Sequence, residues 1–166
     1  MVLGRQSKLI ATMKKLFLIV AAMFAAVSFS ACSDDDDNKN ASIVGTWQIT
    51  LDEGWETFNS STPRHWSEPY PSDGYYYTYT FDGKGSCISN MYTNGREDED
   101  SPIHYTYSIS GNTLIMNEQS NDPIKYVYEI KKLTNSELIL FIHEEEWFEA
   151  ENRTGEYEQT ETFKRL

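Results

Sequence analysis

Tyr75-Tyr76-Tyr77-Thr78-Tyr79-Thr80-Phe81-Asp82-Gly83-Lys84-Gly85-Ser86-Cys87-Ile88-Ser89-Asn90-Met91-Tyr92 decides the fold class of this chain. Its first half places Tyr75, Tyr77, Tyr79 and Phe81 at every second position, the period at which strand side chains return to one face. Asp82-Gly83-Lys84-Gly85 breaks the run with turn residues, and Ser86 to Tyr92 resumes it. Two alternating runs around a short Gly-rich turn predict a β-hairpin.

Outward from that hairpin the same grammar repeats. Ile43 to Leu51 sets Ile43, Trp47, Ile49 and Leu51 on one face. Ile103 to Ile109 aligns Ile103, Tyr105, Tyr107 and Ile109, and Gly111-Asn112 turns into Thr113 to Asn117. Ile124 to Leu133 aligns Ile124, Tyr126, Tyr128 and Ile130, Thr134-Asn135-Ser136 leads into Glu137 to Trp147, and Glu156 to Lys164 ends the series. No stretch after Ser42 has the 3.6-residue period of a helix. The prediction is an all-β domain over residues 42–166, an eight-stranded antiparallel up-and-down β-barrel, because eight short-looped strands lose their edges by closing. An open sandwich is the alternative. Between the first two strands, Asp52 to Gly74 reads as a long loop carrying Trp55, Phe58, His65, Trp66 and Tyr70. Loops of that length are functional or disordered.

The amino-terminal part is different in kind. Residues 1–31 contain no acidic side chain, Lys14-Lys15 follows Met13, and Leu16 to Phe29 is almost wholly apolar. That run is shorter than the roughly 20 residues a spanning helix needs, so residues 1–31 read as a cleavable signal peptide, with the true start at Met13. A single-pass anchor is the alternative. Ser30-Ala31-Cys32 resembles the lipobox of bacterial lipoproteins, which implies a diacylglyceryl thioether on Cys32, then cleavage before it and acylation of the new amino terminus. Ordinary cleavage leaving a free thiol is the other possibility. Residues 32–41, with Asp34 to Asp37, read as an acidic disordered tether. The acidic run resembles the signal after the lipid cysteine in surface-exposed lipoproteins of the Bacteroidetes. That resemblance implies an outer-membrane, lipid-anchored protein facing the cell exterior; a solvated spacer is the plainer alternative.

Charge and cysteine use narrow the function classes. After position 31 the chain holds 26 acidic and ten basic residues, a net charge of −16. Such a surface repels phosphate backbones, so nucleic acid is excluded as a partner. Cys87 has no second cysteine once Cys32 is lipidated, and reads as a small buried apolar residue.

Ile43-Val44-Gly45-Thr46-Trp47 resembles the Gly-x-Trp opening of lipocalin-like domains. Thr80 to Gly85, Tyr107 to Leu114 and Thr162 to Leu166 resemble later strands of the same family, in lipoproteins of the Bacteroidetes type. The resemblance covers residues 42–166. It implies a β-barrel in which Trp47 packs across the closed end beneath Arg165, and a first connection that arches over the open mouth. Trp55 and Trp66 would then close as a lid on a ligand, or merely cap the core.

Interior tyrosines add a second clue. Tyr77, Tyr79, Tyr105, Tyr107, Tyr126 and Tyr128 point inward by their spacing, and a buried phenol needs a hydrogen-bond partner. A tyrosine-lined interior suits a small amphipathic ligand better than a plain fatty acid. Alternatively the hydroxyls reach solvent at the barrel ends. No catalytic motif, no cofactor and no metal-ligand spacing is legible: His65, His104 and His143 are far apart, and Glu97 to Asp100 lacks the pattern of a calcium loop. The reading is therefore a non-enzymatic binding module that holds a ligand through Trp55, Trp66 and the six tyrosines. Its alternative is a filled barrel that docks a partner protein or glycan through exposed Trp147, Phe148 and Tyr157.

Overall fold

The computed structural model describes residues 41–59, 61–148 and 153–166. The signal peptide, Cys32, the acidic tether up to Asn40 and the side chains of Trp147 and Phe148 lie outside what it describes. Ten strands order the described residues: β1 Gly45–Phe58, β2 Arg64–Pro69, β3 Tyr75–Phe81, β4 Ser86–Thr93, β5 Arg96–Glu97, β6 Ile103–Ser110, β7 Thr113–Glu118, β8 Lys125–Leu133, β9 Glu137–Phe148 and β10 Arg153–Arg165.

The turn at Asp82 forms for a local reason. Its Oδ1 accepts from the amides of Lys84 (2.7 Å) and Ser86 (2.9 Å), which folds the chain back so that Phe81 pairs with Cys87. β6 pairs antiparallel with β4, each strand from β7 to β10 pairs antiparallel with the one before, and β10 pairs with β1 from Trp47↔Arg165 to Phe58↔Gly155. Eight strands (β1, β3, β4, β6, β7, β8, β9, β10) thus close into an antiparallel barrel. The short β5 is appended to β4, and β2 to the far half of β1.

Two expectations are corrected here. The segment from Asp52 to Gly74 is not a long loop: β1 runs on to Phe58 and returns as β2, pairing Leu51↔Pro69 through Glu56↔Arg64. Leu51 does not share the face of Trp47 and Ile49. The register slips between Ile49 and Leu51, a β-bulge that turns Leu51 outward and Asp52 inward, opposite Glu161.

The core lies inside the closed end. Trp47, Ile49, Leu114, Met116, Leu138, Leu140 and Phe163 are fully buried, joined by Phe81 and Cys87. Burial pushes the Cys87 thiol up to about 12, so it packs as an inert apolar side chain. The Arg165 guanidinium stands 4.2 Å from the Trp47 ring, as the family resemblance implied. It donates Nε to Asn135 O (2.7 Å), Nη1 to Val44 O (2.7 Å) and Nη2 to Ser42 O, tying three segments over the barrel bottom. Gly45 has φ +134°, and a Cβ there would stand 2.5 Å from Arg165 Nη1, so glycine is required on both counts. Residues 41–166 contain the closing strands and the whole buried cluster, and so form one folding unit.

Candidate functional site

Above the apolar core the inward-facing positions change character. On β10 the alternation runs Phe163, Glu161, Gln159, so the residue two before a core phenylalanine is a carboxylate on the same face. Glu161 is 5% exposed. Its Oε1 accepts the Tyr77 hydroxyl, while Oε2 has no hydrogen-bond partner among the described residues. A buried, half-satisfied carboxylate is costly for a fold to retain.

Tyrosines surround it. Ring centroids are separated by 6.3 Å for Tyr70–Tyr77, 5.5 Å for Tyr77–Tyr79, 6.3 Å for Tyr79–Tyr105, 6.3 Å for Tyr105–Tyr126 and 6.1 Å for Tyr126–Tyr128. This continuous belt comes from β3, β6 and β8 plus the segment after β2. Toward the rim, Asp52 accepts from Trp66 Nε1 (2.9 Å) and Gln159 Nε2 (3.0 Å), and Glu144 accepts the Tyr157 hydroxyl (3.0 Å).

The electrostatics follow from burial without a counter-charge. Desolvation holds the Glu161 carboxyl up at about 7, with Asp52 pushing the same way and the hydroxyls of Tyr77 and Tyr128 pulling down. Tyr128 stands close enough to exert that pull, although it makes no hydrogen bond of standard geometry to Oε2. Tyr77, Tyr79 and Tyr128 are raised well above the ordinary phenol value, by burial first and the Glu161 charge second. Tyr105 and Tyr126 are raised by burial, with carboxylates among the further causes.

The structure sorts the residues singled out from the sequence. Tyr77, Tyr79, Tyr105, Tyr126 and Tyr128 come together around Glu161. Tyr107 stands apart, at the closed end, edge-on to Phe81 at 5.0 Å with its phenol against the Gly83 backbone. Trp66 and Trp55 do not close together as a lid, because neighbouring register positions put them on opposite faces of the β1–β2 hairpin. Trp66 shares the face of Asp52 and lies against Gly54, where a Cβ would stand 2.6 Å from its ring and collide with the Glu158 carbonyl. Gly54→Ala is expected to cost about 1–3 kcal/mol and to shift Trp66 fluorescence, checked by urea unfolding and emission spectra.

Trp55 faces outward. Its Nε1 donates to Glu158 Oε2 (2.9 Å), whose other oxygen is 3.3 Å from His143 Nδ1. Trp55, His65, Phe141 and Glu158 help line an open outer cleft of about 300 Å³, which Trp66 also borders. Strand pairing also gathers His143, Glu145 and Glu156 within 4.8 Å of one another, a grouping invisible in the sequence spacing. Tyr157, expected on an exposed patch, is partly buried on the inner face. Glu97 and Asp98 of the acidic loop accept from Asn90 and Thr93. The residue that sequence reasoning passed over is Glu161; its signal was its place two before Phe163.

No curated protein and no solved structure is matched by this chain. A family model described as a lipocalin-like domain matches residues 43–140, from buried Ile43, two residues before Gly45, into the first part of β9. With the closed eight-stranded barrel, the Trp47–Arg165 plug and this match over more than half the chain, the protein belongs to the lipocalin-like domain family.

Proposed function

We propose that the domain is a non-catalytic binding module that takes a small amphipathic ligand into the open half of its barrel. One observation carries this reading: the interior holds a buried carboxylate with a free oxygen inside a belt of tyrosines. A barrel evolved only for stability gains nothing from that group, and an apolar residue of similar size there would fold more stably. Rings offer contact area and phenols offer hydrogen bonds, the combination that an amphipathic molecule uses. Ser30-Ala31-Cys32 and the following aspartates support delivery of this module to the outer membrane by a lipid on Cys32, with the barrel facing the exterior.

The outer cleft beside Trp55 favours a second reading, in which the barrel is filled and a partner protein or glycan docks outside. Tyr126 and Trp55 separate the readings, because Tyr126 belongs to the inner tyrosine belt and Trp55 to the outer cleft, whereas Trp66 borders both Asp52 and the cleft. Native mass spectrometry of residues 41–166 purified from the source organism is expected to retain a small-molecule mass that Tyr126→Ala loses and Trp55→Ala keeps. The reverse pattern, or a bare polypeptide mass, would move the function to the outer face.

A further inference from the structure

We propose that the ligand is an organic cation, an amine on an aromatic or aliphatic body, with Glu161 as its counter-ion and the tyrosine belt as its cage. This rests on the container reading above and names the chemistry inside it.

The argument is one of unmatched charge. Glu161 Oε2 is a fully buried acceptor without a partner among the described residues, whereas both Asp52 oxygens are engaged by Trp66 and Gln159 and one Glu144 oxygen by Tyr157. The ion pairs among the described residues join Arg64 to Glu56, Lys131 to Glu129, Lys132 to Glu137 and His143 to Glu156 and Glu158. None involves Glu161, Asp52, Glu118 or Glu144, the carboxylates whose fields reach the tyrosine belt. A ligand carboxylate or phosphate entering here would meet like charge, with no lysine or arginine paired to these carboxylates among the described residues. An ammonium group would meet the opposite: a buried carboxylate oxygen in a low-dielectric surround, where an ion pair is strong. It would also meet phenol ring faces, which attract cations within about 6 Å of their centroids. An eight-stranded barrel admits one small body behind that group.

Isothermal titration calorimetry of residues 41–166 tests this with three probes on one ring system at about pH 8: tryptamine (cationic), tryptophol (neutral) and indole-3-acetate (anionic). Tryptamine is expected to bind at least about tenfold more tightly than tryptophol, and indole-3-acetate to give no heat. Glu161→Gln, with its fold checked by circular dichroism, is expected to abolish the preference while tryptophol still binds. Equal binding of tryptamine and tryptophol, or a preference that survives Glu161→Gln, would overturn the amine assignment and leave the container standing. Silence from all three probes would overturn both.

Discussion

Glu161→Gln stabilises the folded domain at alkaline pH and leaves it nearly unchanged at acidic pH. The carboxyl titrates at about 7 in the fold against 4.5 for an ordinary glutamate. A raised folded-state value means that the protonated form is the one the fold accommodates. Its contribution is therefore fully present below about pH 4.5 and is lost as pH rises through about 7. Converted at 1.36 kcal/mol per unit, the ionised side chain costs the fold about 3 kcal/mol above pH 8. Gln keeps the size and an oxygen for the Tyr77 hydroxyl but carries no charge. Urea unfolding of the two proteins in parallel is expected to give curves that meet at about pH 4 and diverge by roughly that amount by about pH 9. Parallel curves would mean that Glu161 is solvated or paired. The tyrosines coupled to Glu161 are raised well above the ordinary phenol value and stay protonated across this range, so the difference isolates the carboxyl.

The largest loss of stability is expected from Trp47→Ala. The ring is 0% exposed, its Nε1 donates to Ile43 O at 2.7 Å, and Arg165 covers it at 4.2 Å. Truncating a fully buried tryptophan costs about 3–5 kcal/mol, a large share of a domain's typical 5–15 kcal/mol. Here the cavity opens beneath Arg165, which loses its stacking partner while its hydrogen bonds to Ser42, Val44 and Asn135 still hold the segments together. Trp47→Phe refills most of the volume but leaves the Ile43 carbonyl unpaired, and is expected to cost about 1–3 kcal/mol. The urea midpoints of the two variants give the comparison. A Trp47→Ala protein as stable as the parent would show that the closed end does not organise the barrel.

These two residues mark what the sequence made legible and what it hid. Trp47 was readable because Gly45-x-Trp47 opens an alternating strand whose inward positions are apolar, so period and packing agree. The Asp82 hairpin was readable for the same reason, its turn residues standing where the backbone needs them. The far half of β1 was not. Beyond the bulge after Ile49 the inward positions are Asp52, Gly54 and Glu56, which look like loop because the sheet there has left the apolar core. Pairing with β2 and β10, not side-chain burial, makes that stretch a strand. Glu161 was hidden by a different effect. In Glu156-Tyr157-Glu158-Gln159-Thr160-Glu161 the acidic residues look uniformly solvent-facing, yet alternation sends Glu158 out to Trp55 and Glu161 inward to Tyr77. The tyrosines were visible by their period, but only strand register separates the five that meet around Glu161 from Tyr107 at the closed end.

Everything proposed for the interior depends on one buried carboxylate with no cation paired to it among the described residues. A carbon-13 NMR titration of the Glu161 carboxyl, assigned by difference from Glu161→Gln, reads that state directly. The account predicts a midpoint at about 7 in the ligand-free domain, moving down when tryptamine is added. A midpoint near 4.5, the value of an ordinary glutamate, would contradict it.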